Sequence, residues 1–211
     1  MYFNITNVDS RVDFTAVSCF VSNGNGESLW FEPESLNVYP MLAEIPPTNS
    51  YPNKKGPASR YPITIHVFGQ PTNLNNVIVT LLGLSHARSS DLEVLLVGPS
   101  GKAVILMSHV GGASGVNGAT SVFKQDSPAI PAPQSFPIPP HETSTYLPSN
   151  YGQVVLPQFG NDPPPPGNFY ISDLSGFRGD NPNGNWKLYI YDDATGASGS
   201  LSGSWYINFD F

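Results

Sequence analysis

Few residues in this sequence have the types and spacing that catalysis needs. A hydrolase nucleophile requires a neighbouring base and an orienting acid, and no Gly-x-Ser-x-Gly elbow occurs in the chain. Residues 141–145, His-Glu-Thr-Ser-Thr, begin like a zinc-protease motif. Position 145 is not histidine, however, so one metal ligand of that motif is missing. The sequence therefore predicts that the chain is not an enzyme.

His86 and Asp91 are close in sequence and could form a dyad in which the carboxylate orients the imidazole. The alternative, which we favour, is that His86 ends a strand and bonds locally to hold the following loop. Under that interpretation both residues have structural roles.

The composition is that of a folded, acidic and weakly charged chain. It has 211 residues with a formal net charge of -7, and charged residues make up 12%, which is about half of the usual ~25%. An acidic chain with 9 Lys and Arg residues is a poor ligand for a phosphate backbone, so we expect no nucleic-acid partner. Its 20 Gly and 22 Pro residues predict that turns and stiff loops occupy much of the fold.

The sequence shows neither a membrane-spanning segment nor an export signal. No apolar run approaches the ~18 residues of a membrane helix, so no membrane insertion is expected. Residues 1–15 carry Asp9 and Asp13 and lack the basic start and apolar centre of a signal peptide. The lone cysteine, Cys19, cannot form an intrachain disulfide and is interpreted as a small core residue.

Apolar residues alternate along most of the chain, which is typical of β-strands. Segments 63–68, 77–81, 92–97 and 103–107 are predicted strands. The last two flank residues 98–101, Gly-Pro-Ser-Gly, which are typical of a tight hairpin turn. Their continuous apolar runs predict central strands that are covered on both faces.

Two amphipathic strands are predicted near the C-terminus. Alternation places Trp186, Leu188 and Ile190 on one face of the first strand and the intervening residues on the other. In the second strand, the odd-numbered positions from Trp205 to Phe211 form the apolar face. Residues 192–200 are predicted to be a long polar hairpin loop between the two strands. Many short strands separated by Gly and Pro predict an all-β sandwich.

Two Pro-rich segments, 127–140 and 157–167, interrupt the strand pattern. Each is interpreted as a stiff surface loop inserted within the domain, because such a segment costs little entropy to order. The alternative is a polyproline ligand for an aromatic groove on another protein.

Residues 1–44 form an N-terminal arm that is apolar but too short to have a core of its own. The arm either adds strands to the sandwich or docks on another chain. The predicted division is therefore an arm at 1–44 and a sandwich domain at 45–211. If the arm docks, the candidate interaction residues are Phe14, Phe20, Trp30 and Phe31.

An ordered set of motifs resembles the P domain of subtilisin-like proprotein convertases, in particular the bacterial form found in large secreted or surface proteins. The set begins with Tyr61-Pro62 and the strand segment 77–86, which ends in Leu-Ser-His. It continues through 91–101 and through 181–186, Asn-Pro-Asn-Gly-Asn-Trp, and ends at Trp205. Each motif is weak alone, but their order is specific, and the resemblance covers most of the chain.

The resemblance implies a jelly-roll β-sandwich, similar to galactose-binding-like domains, that has no catalytic activity of its own. In convertases the P domain packs against a separate subtilisin-type catalytic domain and stabilises it. The resemblance also implies structural roles for the motif residues, which in this chain are His86, Asp91, Pro99, Gly101, Gly184, Trp186, Gly199 and Trp205.

Calcium is the one cofactor that the resemblance suggests, because related bacterial domains are rich in acidic residues in three loops. A calcium ion takes several carboxylate and carbonyl oxygens. This chain departs from the pattern at Ser90, His109 and Gln125, which stand where an acid is common. The alternative is that the remaining acids cap turns through backbone bonds. The candidate ligands, with Asp192 or Asp193 first, are Asp91, Asp126, Asp192 and Asp193.

Three functions are consistent with these features. The first is a non-catalytic interaction or structural module that self-associates or binds a protein partner in an extracellular, cell-surface or virion assembly. The second is an accessory domain that stabilises a separate subtilisin-type protease. The third is a carbohydrate-binding module, in which sugars would stack on exposed aromatic rings such as Tyr146, Tyr151, Tyr170, Tyr189 or Tyr191.

Overall fold

The computed structural model describes residues 43–46, 55–126, 129–135, 137–152 and 171–211, together with the backbone of 19–22 and 28–31. Regular structure in these residues is almost entirely β-strand, with two short 3-10 helices at Ser89–Asp91 and Leu174–Phe177. No helix in this part of the chain is long and apolar enough to cross a membrane. The strands are β1 (Cys19–Ser22), β2 (Ser28–Phe31), β3 (Ala43–Ile45), β4 (Gly56–Pro57), β5 (Ile63–Val67), β6 (Asn76–His86), β7 (Leu92–Val97), β8 (Ala103–Ser108), β9 (Val116–Phe123), β10 (Ile130–Pro131), β11 (Thr143–Leu147), β12 (Ser149–Asn150), β13 (Gly184–Asp192), β14 (Gly199–Leu201) and β15 (Trp205–Asp210).

Seven of the described strands form a sheet centred on β6, here called the β6 sheet. On one side β6 pairs with β9, and on the other it pairs with both β15 and β14. It has room for two partners on one side because β15 pairs with its first half and β14 with its last three residues. β11 and β10 extend the sheet beyond β9, and β3 pairs with β14 at the opposite edge.

Six described strands form a second sheet centred on β13, here called the β13 sheet. On one side β13 pairs with β7, and on the other it pairs with β5 and β4, while β8 and β12 follow beyond β7. The turn at residues 98–101 connects β7 to β8, as predicted. Gly101 lies in the left-handed region at a φ of 84°, which glycine adopts without strain.

The two sheets pack face to face over one apolar core, which confirms the predicted all-β sandwich. Trp186, Leu188 and Ile190 of β13 lie in this core, as their alternation predicts. Trp205 and Ile207 enter the same core from β15 in the other sheet. The predicted faces of both C-terminal strands are therefore confirmed.

The outer face of the β13 sheet is also covered. Tyr189 and Tyr191 pack there with Tyr61, Leu95 and Ile105. The rings of Tyr61 and Tyr189 meet edge to face at a centroid distance of 5.0 Å. As a result β7 is buried along its whole length, which confirms the prediction that its continuous apolar run is covered on both faces.

The polar segment 192–200 is not the hairpin loop that the sequence predicts. β13 belongs to the β13 sheet, whereas β14 and β15 belong to the β6 sheet. The segment therefore crosses from one sheet to the other. Alternation identifies a strand and its faces, but it does not report which strand becomes the hydrogen-bonding neighbour. The prediction of a hairpin was wrong for this reason.

The Pro-rich segment 127–140 also differs from a simple loop. Within it, β10 pairs in parallel with β11 at the edge of the β6 sheet. Pro131 is tolerated there because an edge strand does not need every N–H as a hydrogen-bond donor. The second Pro-rich segment, 157–167, lies outside the described residues.

β1 and β2 form a two-stranded antiparallel sheet, and neither strand pairs with another strand that the structure describes. In its register Phe20 stands opposite Trp30, and Cys19 stands opposite Phe31. Phe14, the fourth aromatic residue predicted to take part in docking, lies outside the described residues. The sandwich itself already includes β3, whose Ala43 and Ile45 are buried.

The aromatic cluster around Trp186 tests the core. Trp186 is fully buried against the rings of Phe177 and Phe209, at centroid distances of 5.0 and 5.5 Å. We expect Trp186→Ala to lower the free energy of unfolding by about 3–5 kcal/mol, because it leaves a large cavity. Urea denaturation followed by circular dichroism measures the change. Tyr206→Ala, on the exposed face of β15, is the control and should stay within about 0.5 kcal/mol of the parent chain; equal losses would contradict the assignment of faces.

Candidate functional site

One end of the β13 sheet brings together two acids and a histidine from three neighbouring strands. Glu93 is the second residue of β7, His109 directly follows β8, and Asp193 directly follows β13. β7 runs antiparallel to both of its neighbours, so its beginning lies beside their ends. Glu93, His109 and Asp193 are here called the strand-end cluster.

The His109 ring lies between the two carboxylates of this cluster. Its Nδ1 is 3.2 Å from Oε1 of Glu93, and its Nε2 is 3.3 Å from Oδ2 of Asp193. One ligand atom from each residue lies within 4.8 Å of the other two. The side chains of His109 and Asp193 are 41% and 35% exposed, whereas that of Glu93 is 2% exposed. The cluster therefore has a buried floor and an open side, and its three residues could hold a metal ion.

Glu93 carries a buried carboxyl group. Burial raises the pKa of Glu93 to about 8; a hydrogen bond with the Ser108 side chain lowers this pKa, and the charge of Asp193 raises it. Its Oε2 is buried and has no hydrogen-bond partner among the described residues. A buried carboxylate without full compensation is costly, so this position favours either a proton or a cation.

The second carboxyl group of the cluster is in a field of like charge. Burial raises the pKa of Asp193, and the nearby charge of His109 lowers it. Asp91 and Asp192 raise the same pKa, and Lys55 lowers it. Because several carboxylates converge here, the site attracts positive charge.

A fully buried pair lies beside the strand-end cluster. Nε2 of His86 is 3.0 Å from Oδ2 of Asp192, and neither side chain is exposed. Nδ1 of His86 lies 2.8 Å from the carbonyl oxygen of Arg88. His86 is the last residue of β6, and its ring contacts the loop that follows this strand. The acid that pairs with His86 is Asp192, and Asp91 pairs instead with Arg88 at 3.3 Å.

Backbone contacts hold the segments that carry the cluster. The N–H of Asp193 donates to the carbonyl of Asp91 at 2.9 Å. His109 has a φ of 54°, so the chain turns sharply directly after β8. Gly152 packs against the His109 ring, and a Cβ at that glycine would lie 2.0 Å from Nδ1. Glycine at position 152 therefore leaves the space that the ring occupies.

The structure brings three of the four predicted calcium ligands together and places the fourth elsewhere. Asp91, Asp192 and Asp193 lie at the same end of the sandwich, close enough to influence one another electrostatically. Asp126 accepts a hydrogen bond from Asn76, at the end of β6 opposite to His86. Since the 11 residues of β6 extend over roughly 30 Å at the usual rise, Asp126 is too distant to share an ion with the other three.

Sequence reasoning missed Glu93. The signal was present, because a charged residue in a strand that is covered on both faces must find a partner or lose its charge. His109 entered the sequence analysis as a position where an acid is absent, yet it is the residue that links the two carboxylates.

Ser108 and His109 resemble a nucleophile and its base, since the Ser108 Oγ lies 3.2 Å from His109 Nδ1. Ser108 is fully buried, however, so its hydroxyl does not face a surface where a substrate could bind. Nδ1 also faces the Glu93 carboxylate. A nucleophile must be able to reach its substrate. We therefore interpret the contact between Ser108 and His109 as packing beneath the cluster.

Two glycines, Gly184 and Gly199, stand where chain segments approach closely. A Cβ at Gly199 would lie 2.0 Å from the carbonyl oxygen of Ser85, in the neighbouring strand β6. A Cβ at Gly184 would lie 2.9 Å from the Cβ of Pro99, in the turn between β7 and β8. Each glycine therefore permits a contact between segments that are distant in sequence.

Three of the five tyrosines predicted to stack sugars are buried. Tyr146, Tyr189 and Tyr191 are at most 5% exposed, so the expectation that their rings are exposed is wrong. Tyr151 is exposed, but its hydroxyl donates to a backbone carbonyl. Tyr170 lies outside the described residues. Alternation assigns an aromatic residue to a face of a strand, but it does not reveal that both faces are covered.

No protein-family model and no curated protein matches this sequence. Among solved structures, one similar chain comes from the crystal structure of an Aeromonas sobria serine protease in complex with a chaperone, at 15% identity and a TM-score of 0.32. The alignment covers 98% of this chain and 38% of that chain, so this chain spans well under half of its length. A similarity at this level does not establish a shared function.

The pair formed by His86 and Asp192 gives the test of this region. We expect Asp192→Ala to lower the free energy of unfolding by about 3–5 kcal/mol, because it leaves a buried imidazole without its acceptor. Thermal and urea denaturation measure the loss. Lys102→Ala is the control, because it removes a half-exposed partner of Asp180 and should cost at most about 1 kcal/mol. Equal losses of unfolding free energy in the two variants would show that the buried pair stabilises the fold no more than an exposed ion pair does.

Proposed function

We propose that this chain is a non-catalytic β-sandwich module, similar to a proprotein convertase P domain, that acts through protein–protein contacts in an extracellular or virion assembly. The observation that carries the proposal is the hairpin of β1 and β2, which pairs with no other described strand. The buried position of Ser108 beside His109 supports the absence of catalysis.

A two-stranded hairpin is marginally stable in water without a surface to cover it. Each strand has three successive apolar residues, in the sequences Cys-Phe-Val-Ser and Ser-Leu-Trp-Phe. Because neighbouring residues of a strand point to opposite faces, both faces of a ribbon with these sequences include apolar residue types. An apolar segment of this kind is typical of a contact with another chain.

A second candidate function is an accessory domain for a separate subtilisin-type protease. The ordered motifs between residues 61 and 205 favour it, because P domains have that role in convertases. Gly184 and Gly199 belong to these motifs, and each permits a close contact between two chain segments. Their role in the motifs is therefore explained by packing. This candidate differs from the first in its partner, since it requires a protease and no self-association.

Light scattering on the full-length chain tests the first candidate. We expect a discrete oligomer or particle that is clearly larger than the 22.7 kDa chain. Replacing Phe20 and Trp30 together by aspartate should reduce the mass to that of a monomer, because charge opposes burial of the hairpin at a contact. Phe68→Asp is the control, because Phe68 is an exposed aromatic residue of the sandwich and its replacement should leave the mass unchanged.

A monomeric parent chain, or a double variant that assembles like the parent, would contradict a role of the hairpin in self-association. The accessory candidate then has its own test. A subtilisin-type protease from the same organism should lose activity more slowly on heating when this chain is added, because binding to the native state stabilises it. An unchanged half-life at saturating amounts of the chain would reject that candidate.

A further inference from the structure

We propose that Glu93, His109 and Asp193 bind one divalent transition-metal ion of the zinc type, through one imidazole nitrogen and two carboxylates. The inference does not rest on the proposed function, because it concerns one end of the β13 sheet and makes no use of the hairpin. It also differs from the calcium site predicted from the sequence, since two of its three ligands, Glu93 and His109, were not among the predicted ligands.

The chemistry of the donor atoms selects the type of ion. Calcium takes six to eight oxygen ligands and has little affinity for nitrogen. Zinc commonly binds histidine together with carboxylates, often with three protein ligands and an open fourth position. The His109 ring faces Glu93 through Nδ1 and Asp193 through Nε2, so the ring must turn to present one nitrogen to an ion held by both carboxylates. A ligand set that includes an imidazole favours zinc or cobalt over calcium.

The balance of charge also favours a divalent ion. The other two acids at this end have cationic or donor partners of their own: Asp91 pairs with Arg88, and Asp192 pairs with His86. In the strand-end cluster, two carboxylates share the single ring of His109. A divalent ion with a neutral imidazole balances the charges of both carboxylates.

The unpartnered oxygen of Glu93 is an independent observation that points to a ligand. The Glu93 side chain is 2% exposed, and its buried Oε2 has no hydrogen-bond partner within the described ranges. Buried polar atoms without partners are rare in native proteins and call for an explanation, such as an ion. A metal held by this carboxylate would provide the missing interaction.

The surroundings of the cluster suit an ion that enters from solvent. His109 and Asp193 are partly exposed, which provides a path, while the buried Glu93 closes the inner side. Gly152 lies directly against the His109 ring, and its lack of a side chain leaves the space that the ring occupies. Because the three ligands come from the ends of β7, β8 and β13, a bound ion would connect three neighbouring strands.

The experiment uses the full-length chain after treatment with a chelator and dialysis. We expect zinc to bind at one ion per chain in equilibrium dialysis and to raise the melting temperature as its concentration increases. Cobalt should bind at the same site and give visible absorption bands that zinc abolishes by competition. Calcium at the same concentrations should give a smaller rise in melting temperature.

Two histidines provide a matched pair of variants. His109 and His141 both have a φ of 54°, which asparagine tolerates well, so His109→Asn and His141→Asn impose the same backbone demand. His109→Asn should weaken zinc binding by at least about tenfold, as even the loss of an outer-shell partner does. His141→Asn should bind zinc like the parent chain, because His141 bonds to Asn117 outside the cluster.

Several results would overturn the proposal: no uptake of zinc or cobalt by the parent chain, equal affinity of the two variants, or a calcium response that exceeds the zinc response and persists in His109→Asn. If His109→Asn does not fold, Asp193→Asn removes a ligand whose side chain is 35% exposed. That variant should remain folded and lose zinc affinity to a similar degree, and unchanged affinity would equally reject the site.

Discussion

Asp192 accepts a hydrogen bond from His86 at 3.0 Å, and this contact joins the end of β13 in one sheet to the end of β6 in the other. Burying such a pair is costly, but breaking it afterwards is more costly still, so the two strand ends are held in one relative position. The chain then reaches Asp193, whose N–H bonds to the carbonyl of Asp91. The place of Asp193 beside β7 follows from these two contacts, and the strand-end cluster therefore depends on the contact between the sheets.

Glu93 is buried because the outer face of β7 is covered by other side chains. Tyr61, Tyr189 and Ile105 exclude water from that face, and Glu93 stands near the start of the same strand, where the apolar cover gives way to polar residues. One oxygen of its carboxyl group contacts the His109 ring, and the other is buried with no hydrogen-bond partner among the described residues. The raised pKa of Glu93 has this burial as its main cause.

The sequence predicted the strands and their faces well, because alternation of apolar residues is a local property. The faces of β13 and β15 and the turn at 98–101 are examples. It failed where the answer depends on which strands become neighbours. The segment 192–200 crosses between the sheets, and Asp126 lies far from Asp192, although both are acids near the ends of strands. Glu93 was missed for the same reason, since its partners follow β8 and β13 and come together only when these strands pair with β7.

The two proposals assign stability and association to different parts of the chain. The strand-end cluster lies at one end of the β13 sheet, whereas the hairpin of β1 and β2 pairs with neither sheet in the part of the chain that the structure describes. An ion that connects the ends of three strands would raise the stability of the sandwich through preferential binding to the folded state. It would leave the hairpin sequence as apolar as before, so the need for a partner surface would persist whether or not the metal is bound.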